Sequence, residues 1–130
     1  MTRVGTRMRA GGRFEEIASY SRAARVGDVI AVSATAALDA DGTALHAGDA
    51  GAQTRVALER TLAAVEALGG DRDHVIRTRI YLAPGADWRA CAEVHGEVFR
   101  GVEPANTTLF VAGFIPDGCL VEVELDAIVN

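Results

Sequence analysis

A chain of 130 residues, 49% apolar and 24% charged, has the makeup of one ordinary globular domain spanning 1–130, with room for a core and something to gain from assembly. Its formal net charge of -5, with no lysine among its 13 basic residues, argues against a nucleic-acid partner, because such affinity is dominated by cation contacts to phosphate. No apolar run approaches the roughly 20 residues of a spanning helix, and no apolar signal-peptide core is visible. The expectation is a cytoplasmic protein with no membrane partner.

Residues 1 to 12 are rich in arginine and glycine and show no usable period, so they are expected to form a flexible N-terminal arm. Tyr20 to Val26 reads as a strand closed by the turn signal Gly27-Asp28. Val29-Ile30-Ala31-Val32-Ser33 is a continuous apolar run, the mark of a strand covered on both faces. Ala36 to Leu38 then leads into the tight-turn pair Asp41-Gly42.

Asp49 is suited to cap a helix running to about Leu68. At 100° per residue, Thr54, Leu58, Thr61, Leu62, Val65 and Leu68 share one face, opposite Arg55, Glu59, Arg60, Ala63 and Glu66, and Gly69-Gly70 supplies the stop. Val75 to Leu82 reads as a strand. Asp87 caps a second helix to about Arg100, with Trp88, Cys91, Ala92, His95 and Phe99 expected on its inner face. Strands at about Thr107–Ala112 and Leu120–Val129 close the chain around the Pro116-Asp117-Gly118 turn. Cys91 and Cys119, on elements that read as buried helix and strand, are expected to be free core thiols.

The order, about ββ-α-β-α-ββ, implies an α+β fold: a mixed sheet with both helices on one face. No chain remains to cover the other face, and a further subunit is the natural cover.

Five marks in this order resemble the Rid family (also called YjgF or UK114), small trimeric enamine/imine deaminases. They are Ser19-Tyr20-Ser21-Arg22, Val32-Ser33-Ala34-Thr35, Asp49 with Ala52-Gln53, Pro104-Ala105, and the closing Val123-Glu124-Leu125-Asp126-Ala127-Ile128. The resemblance covers about Ser19 to Val129. It implies a six-stranded sheet of chorismate-mutase-like fold, a homotrimer, no cofactor or metal, and a small-molecule site in the clefts between subunits. The family's site tyrosine falls on Tyr20, its serine on Ser33 and the following glycine on Ala34. A helix asparagine falls on Ala92, a cysteine on Thr108, and the glutamate that positions water on Asp126. The family's proline-alanine-arginine triplet reads Pro104-Ala105-Asn106, and its arginine is the residue that holds the substrate carboxylate.

In the implied chemistry, Asp126 aims water at an electrophilic carbon, and Tyr20, Asn106, Thr107 and Thr108 orient the substrate. Each position also has a plain reading. Glu122, Glu124 and Asp126 alternate onto one strand face and keep it solvated; Tyr20 packs at a strand start; Ser33 satisfies backbone groups. Asparagine cannot replace the paired charged hydrogen bonds of arginine. Losing one partner of a buried charged pair costs about 2–5 kcal/mol, roughly a 30- to 5,000-fold loss in binding. The expected substrate therefore lacks a free α-carboxylate, unless Arg22, Arg79 or an N-terminal arginine supplies the grip. The rival expectation is a ligand-binding or regulatory trimer without catalysis, and a ribonuclease is a distant third. His46, His74 and His95 lie on separate elements without ligand spacing, so no metal is expected.

Overall fold

The computed structural model describes residues 3 to 130. Ten elements follow one another: β1 (Thr6–Met8), α1 (Arg13–Ala18), β2 (Ala23–Val26), β3 (Val29–Thr35), α2 (Ala50–Ala67), a 3-10 turn (Arg72–His74), β4 (Val75–Leu82), α3 (Trp88–Val98), β5 (Ala105–Phe110) and β6 (Val121–Ile128). The six strands form one mixed sheet in the order β1-β2-β3-β6-β4-β5. Every pairing is antiparallel except β4 with β5, which α3 connects as a parallel crossover.

Helix α2 forms where the pattern demands it. Asp49 accepts a hydrogen bond from the Ala52 amide at 3.0 Å, and the buried face carries Thr54, Ala57, Leu58, Thr61, Ala64 and Val65. Arg55, Glu59, Arg60, Ala63 and Glu66 face outward as expected, with Leu62 at the margin. At the helix end Gly70 has no room for a side chain: a Cβ would lie 2.9 Å from Val65 and 3.1 Å from Val129. Helix α3 is capped by Asp87, which accepts from the Ala90 amide at 3.1 Å. Its buried side is not quite the expected one. Cys91, Val94, His95, Val98 and Phe99 turn inward, while Trp88 and Ala92 are exposed.

Both long helices lie on one sheet face. Against them β6 presents Val121, Val123, Leu125 and Ala127, all without measurable exposure, flanked by Ile30 and Val32 of β3 and Ile80 and Leu82 of β4. The opposite face is uncovered in the single chain. Val26, Val29 and Ile128 are neighbours there across β2, β3 and β6, and they are 46%, 48% and 38% exposed. The apolar run of β3 is thus covered on one side only. Among the described residues no helix is long and apolar enough to cross a membrane. Cys91 and Cys119 are free and buried, Cys119 standing just ahead of β6 instead of within it.

One strand lies within residues 1–12, which show no period, and a short helix stands just after them. Thr6–Met8 is the edge strand, pairing Thr6 with Arg25 and Met8 with Ala23. The short helix α1 follows, held by Glu15, whose carboxylate accepts from the amides of Ala10 and Gly12 at 3.1 Å each. The edge strand rests on Gly5, which has φ +76° and would place a Cβ 2.0 Å from the Arg25 carbonyl oxygen. Gly5→Ala is therefore expected to free β1 at a local cost of about 1–3 kcal/mol. Hydrogen exchange checks this: the β1 amides should lose protection while those of β6 keep theirs, and unchanged β1 protection would contradict it.

Candidate functional site

The residues singled out in the sequence fall into three places on one chain. The first is the β2–β3 end. Ser33 occupies an irregularity in the β3–β6 pairing that lies between Val32 and Thr35. Its hydroxyl donates to the Ser21 carbonyl at 2.8 Å, and its amide donates to the Arg22 carbonyl at 2.9 Å. Arg22 in turn donates to the Ala34 carbonyl at 2.9 Å, its guanidinium stands 5.7 Å from the centre of the Tyr20 ring, and its Nε is buried without a partner. Tyr20, Ser33 and Ala34 are thus tied together through Arg22. Glu122 lies in the field of this arginine. Burial raises its carboxyl above the usual range, and the arginine charge partly opposes the rise.

The second place is the open sheet face. Asp126 pairs in register with Ala31 of β3 and Arg77 of β4. Its Oδ2 accepts from Arg79 at 3.2 Å, and Glu124 lies 3.8 Å from the same guanidinium. Tyr81 donates to Glu124, and that bond, followed by burial, raises the phenol above its usual range. Thr107 points to this face as well, accepting from Arg77 at 2.9 Å. The sequence reading named the three carboxylates but not the Tyr81 and Arg79 partners as a unit. Alternation on β4 against β6 was the available signal.

The third place is β5, on the helix side of the sheet. Asn106 pairs in register with Thr78 and donates to its hydroxyl at 3.1 Å, while Thr108 donates to the Asn106 carbonyl oxygen at 2.8 Å. Thr78 lies 2.8 Å from Nε2 of His95. The Thr78 hydroxyl accepts from the Asn106 amide and keeps a proton that it can donate to Nε2 of a neutral ring. Burial acts in the same direction, holding His95 below its ordinary value of 6.5. A cavity of about 280 Å³ opens beside His95, between Phe99 and Pro104. Ala92 lies exposed on the neighbouring helix surface and contributes no polar group.

A single chain does not bring these three places together. Tyr20, Ser33 and Ala34 are separated from Asn106 and Thr108 by β6 and β4, a span of about 14 Å from β3 to β5 at the usual strand spacing. Asp126 and Asn106 also lie on opposite sheet faces. Among the described residues no group of three or more histidine, cysteine or carboxylate side chains is arranged to hold a metal. Cys91 and Cys119 are pushed up by burial and are held as thiols.

Comparison with known proteins gives consistent matches. The family model described as Endoribonuclease L-PSP matches residues 11–129. The Streptomyces coelicolor protein SCO2049 is 37% identical over 121 residues, covering 93% of this chain and 90% of that protein. The crystal structure of Rv2704 from Mycobacterium tuberculosis, a member of the YjgF/YER057c/UK114 family, superposes with a TM-score of 0.84 at 37% identity, over 95% of this chain and 98% of the other. Escherichia coli TdcF, solved with bound serine, shares the fold, with a TM-score of 0.77 at 19% identity over 99% and 100% of the two chains.

Because His95 is held below its ordinary value, the unfolded chain takes up a proton first as the pH falls. The stability that neutral His95 confers is complete above about 6.5 and is lost as the pH drops through the folded-state value. Urea midpoints of the native chain should fall over that window, and His95→Leu should flatten this component. An identical pH profile for the two proteins would contradict the assignment.

Proposed function

Because the chain belongs to the YjgF/YER057c/UK114 (Rid) family, we propose that it hydrolyses a small imine or enamine, or a related neutral carbonyl compound, lacking a free α-carboxylate. The observation that carries this reading is Asn106. By the family resemblance it stands in the place of the carboxylate-gripping arginine, and both ends of its amide are engaged by neutral hydroxyls, Thr78 and Thr108. The Asn106 amide nitrogen also lies 3.5 Å from the Thr78 carbonyl, a long contact that a ligand acceptor can displace, and its oxygen keeps spare acceptor capacity, a set suited to an amide, ester or ketone. Arg77 is bonded to Thr107 and Arg79 to Asp126, both on the opposite sheet face, while Arg100 borders the cavity beside His95.

The working site in this reading is formed between copies of the chain in a homotrimer. The uncovered sheet face, with Val26, Val29 and Ile128 side by side, is the surface that association would bury. A cleft between subunits would bring the Tyr20 and Ser33 end of one copy toward the Asn106 edge of another. Asp126 keeps Oδ1 free while Oδ2 is held by Arg79, so the carboxylate can accept from a water and aim it. Tyr20 closes the pocket, and Ser33, Ala34, Ala92, Thr107 and Thr108 line or support it. Neither a metal nor a cofactor enters this scheme, and the setting is the cytoplasm. The serine held by Escherichia coli TdcF fits a family cleft of small-molecule size. The second reading, a ligand-binding or regulatory trimer without turnover, is favoured by the same Asp126–Arg79 ion pair, which gives the carboxylate a structural role.

Ammonia release from 2-iminopropanoate generated in situ tests the proposal. The native chain should be slow and Asn106→Arg should gain roughly 30-fold or more, with Asp126→Asn in the arginine background returning to baseline. A native chain that is already fast sinks the reading of Asn106. Inert, folded proteins of both kinds would favour the binding reading.

A further inference from the structure

The N-terminal arm carries chemistry that the cleft does not use. Strand β1 and the turn before α1 bring Arg3, Arg7 and Arg9 to one cavity of about 240 Å³, whose far wall is Ser19, Tyr20 and Ser21. The arm is fixed in this position by the β1–β2 pairing and by the close approach of Gly5 to the Arg25 carbonyl. Arg7 is oriented further by its own backbone, donating to the Val4 and Thr6 carbonyls at 2.8 and 3.2 Å. Two carboxylates also border the cavity, Glu15 and Glu16. Glu15 is 3% exposed and directs its two oxygens to the Ala10 and Gly12 amides instead of the arginines. Glu16 forms no ion pair among the described residues, so the two carboxylates offset part of the charge of the three arginines and leave positive charge in excess. Among the described residues none of the three guanidinium groups forms an ion pair, whereas Arg55, Arg72, Arg79 and Arg89 all do. A fourth guanidinium, Arg22, stands over the Tyr20 ring.

Three arginines without an ion pair among the described residues line one cavity, and guanidinium donors match the paired oxygens of a planar or tetrahedral oxyanion, Arg7 offering what its bonds to Val4 and Thr6 leave free. We propose that this cavity binds the phosphate or carboxylate group of a small ligand, beside Tyr20. Where Tyr20 also borders the catalytic cleft, which rests on the functional reading above, the bound anion is a distal group of the substrate. The reacting end then lies toward Asn106, which has no charge to offer an acid, and the acidic end toward the arm. The substrate class is a neutral imine or carbonyl carrying an oxyanion remote from the reacting carbon. The exposed setting makes the affinity weak and salt-sensitive.

The test uses the full chain at low ionic strength, with inorganic phosphate and succinate titrated separately while backbone and arginine side-chain N–H signals are followed by NMR. The amides of Ser19, Tyr20 and Ser21 and the Nε–H signals of Arg3 and Arg9 should shift together and saturate. The pair Arg3→Gln/Arg9→Gln should weaken binding by roughly tenfold, the pair Arg3→Lys/Arg9→Lys, which keeps the charge and loses the paired donors, should fall between the glutamine pair and the native chain, and Arg55→Gln should change nothing. Saturation by phosphate alone assigns a phosphoryl group, and saturation by succinate alone or by both assigns a carboxylate as sufficient. Non-saturating shifts spread over all arginines, or equal binding by the glutamine pair with β1 still docked, would overturn the proposal. No turnover is read, so the result stands whether or not Asn106→Arg gains activity.

Discussion

Strand β6 is the element on which the other constraints rest. It pairs with β3 on one side and β4 on the other, so among the described residues it alone joins the two halves of the sheet. Its alternation then has no freedom. Val121, Val123, Leu125 and Ala127 must meet α2 and α3, and Glu122, Glu124 and Asp126 must stand in a row on the other face. A register slip of one residue would bury three carboxylates against the helices. Like charges in a row need compensation, and the neighbouring strands supply it through Arg79, Tyr81 and the field of Arg22.

The same alternation, carried outward to the edge strand, separates the chemistry. Pairing β5 with β4 in register fixes Asn106 and Thr108 on the helix side and Thr107 on the side of Asp126. The water-aiming and substrate-orienting roles proposed here therefore belong to surfaces that one chain keeps apart. Copies meeting across the uncovered apolar face resolve that division in the proposed trimer. The Asn106–Thr78–His95 chain of hydrogen bonds holds the amide in one orientation before any ligand arrives. An arginine in its place would bring a charge that this neutral network has no acid to balance.

Strong local patterns were legible in the sequence. The bounds of β4, the inner face of α2 and the two aspartate caps follow from period and capping chemistry, and the structure carries them as expected. Strand β1 was not legible, because three residues among arginines and glycines give no alternation to read, and its position depends on β2 and on the steric fit at Gly5. Trp88 misled the reading of α3. The apolar pattern puts this first-turn aromatic inward, yet the packed stripe is Cys91, Val94, His95, Val98 and Phe99, and Trp88 is 55% exposed. The candidate positions were legible only through family resemblance, since one chain holds them apart. Neither the Arg22 link between Tyr20 and Ala34 nor the Thr78–His95 support of Asn106 has a sequence signal, because both join residues distant in the chain.

The proposed cleft accepts a neutral group at Asn106, where the family resemblance implies an arginine that accepts an acid. Equilibrium binding of pyruvate and of its neutral amide, pyruvamide, to the native chain tests it most directly, because binding does not depend on whether the protein turns its ligand over. Pyruvamide binding about tenfold more tightly than pyruvate, with Asn106→Arg reversing the order, is the result this structure predicts. Pyruvate binding more tightly to the native chain, and unaffected by Asn106→Ala, would contradict it.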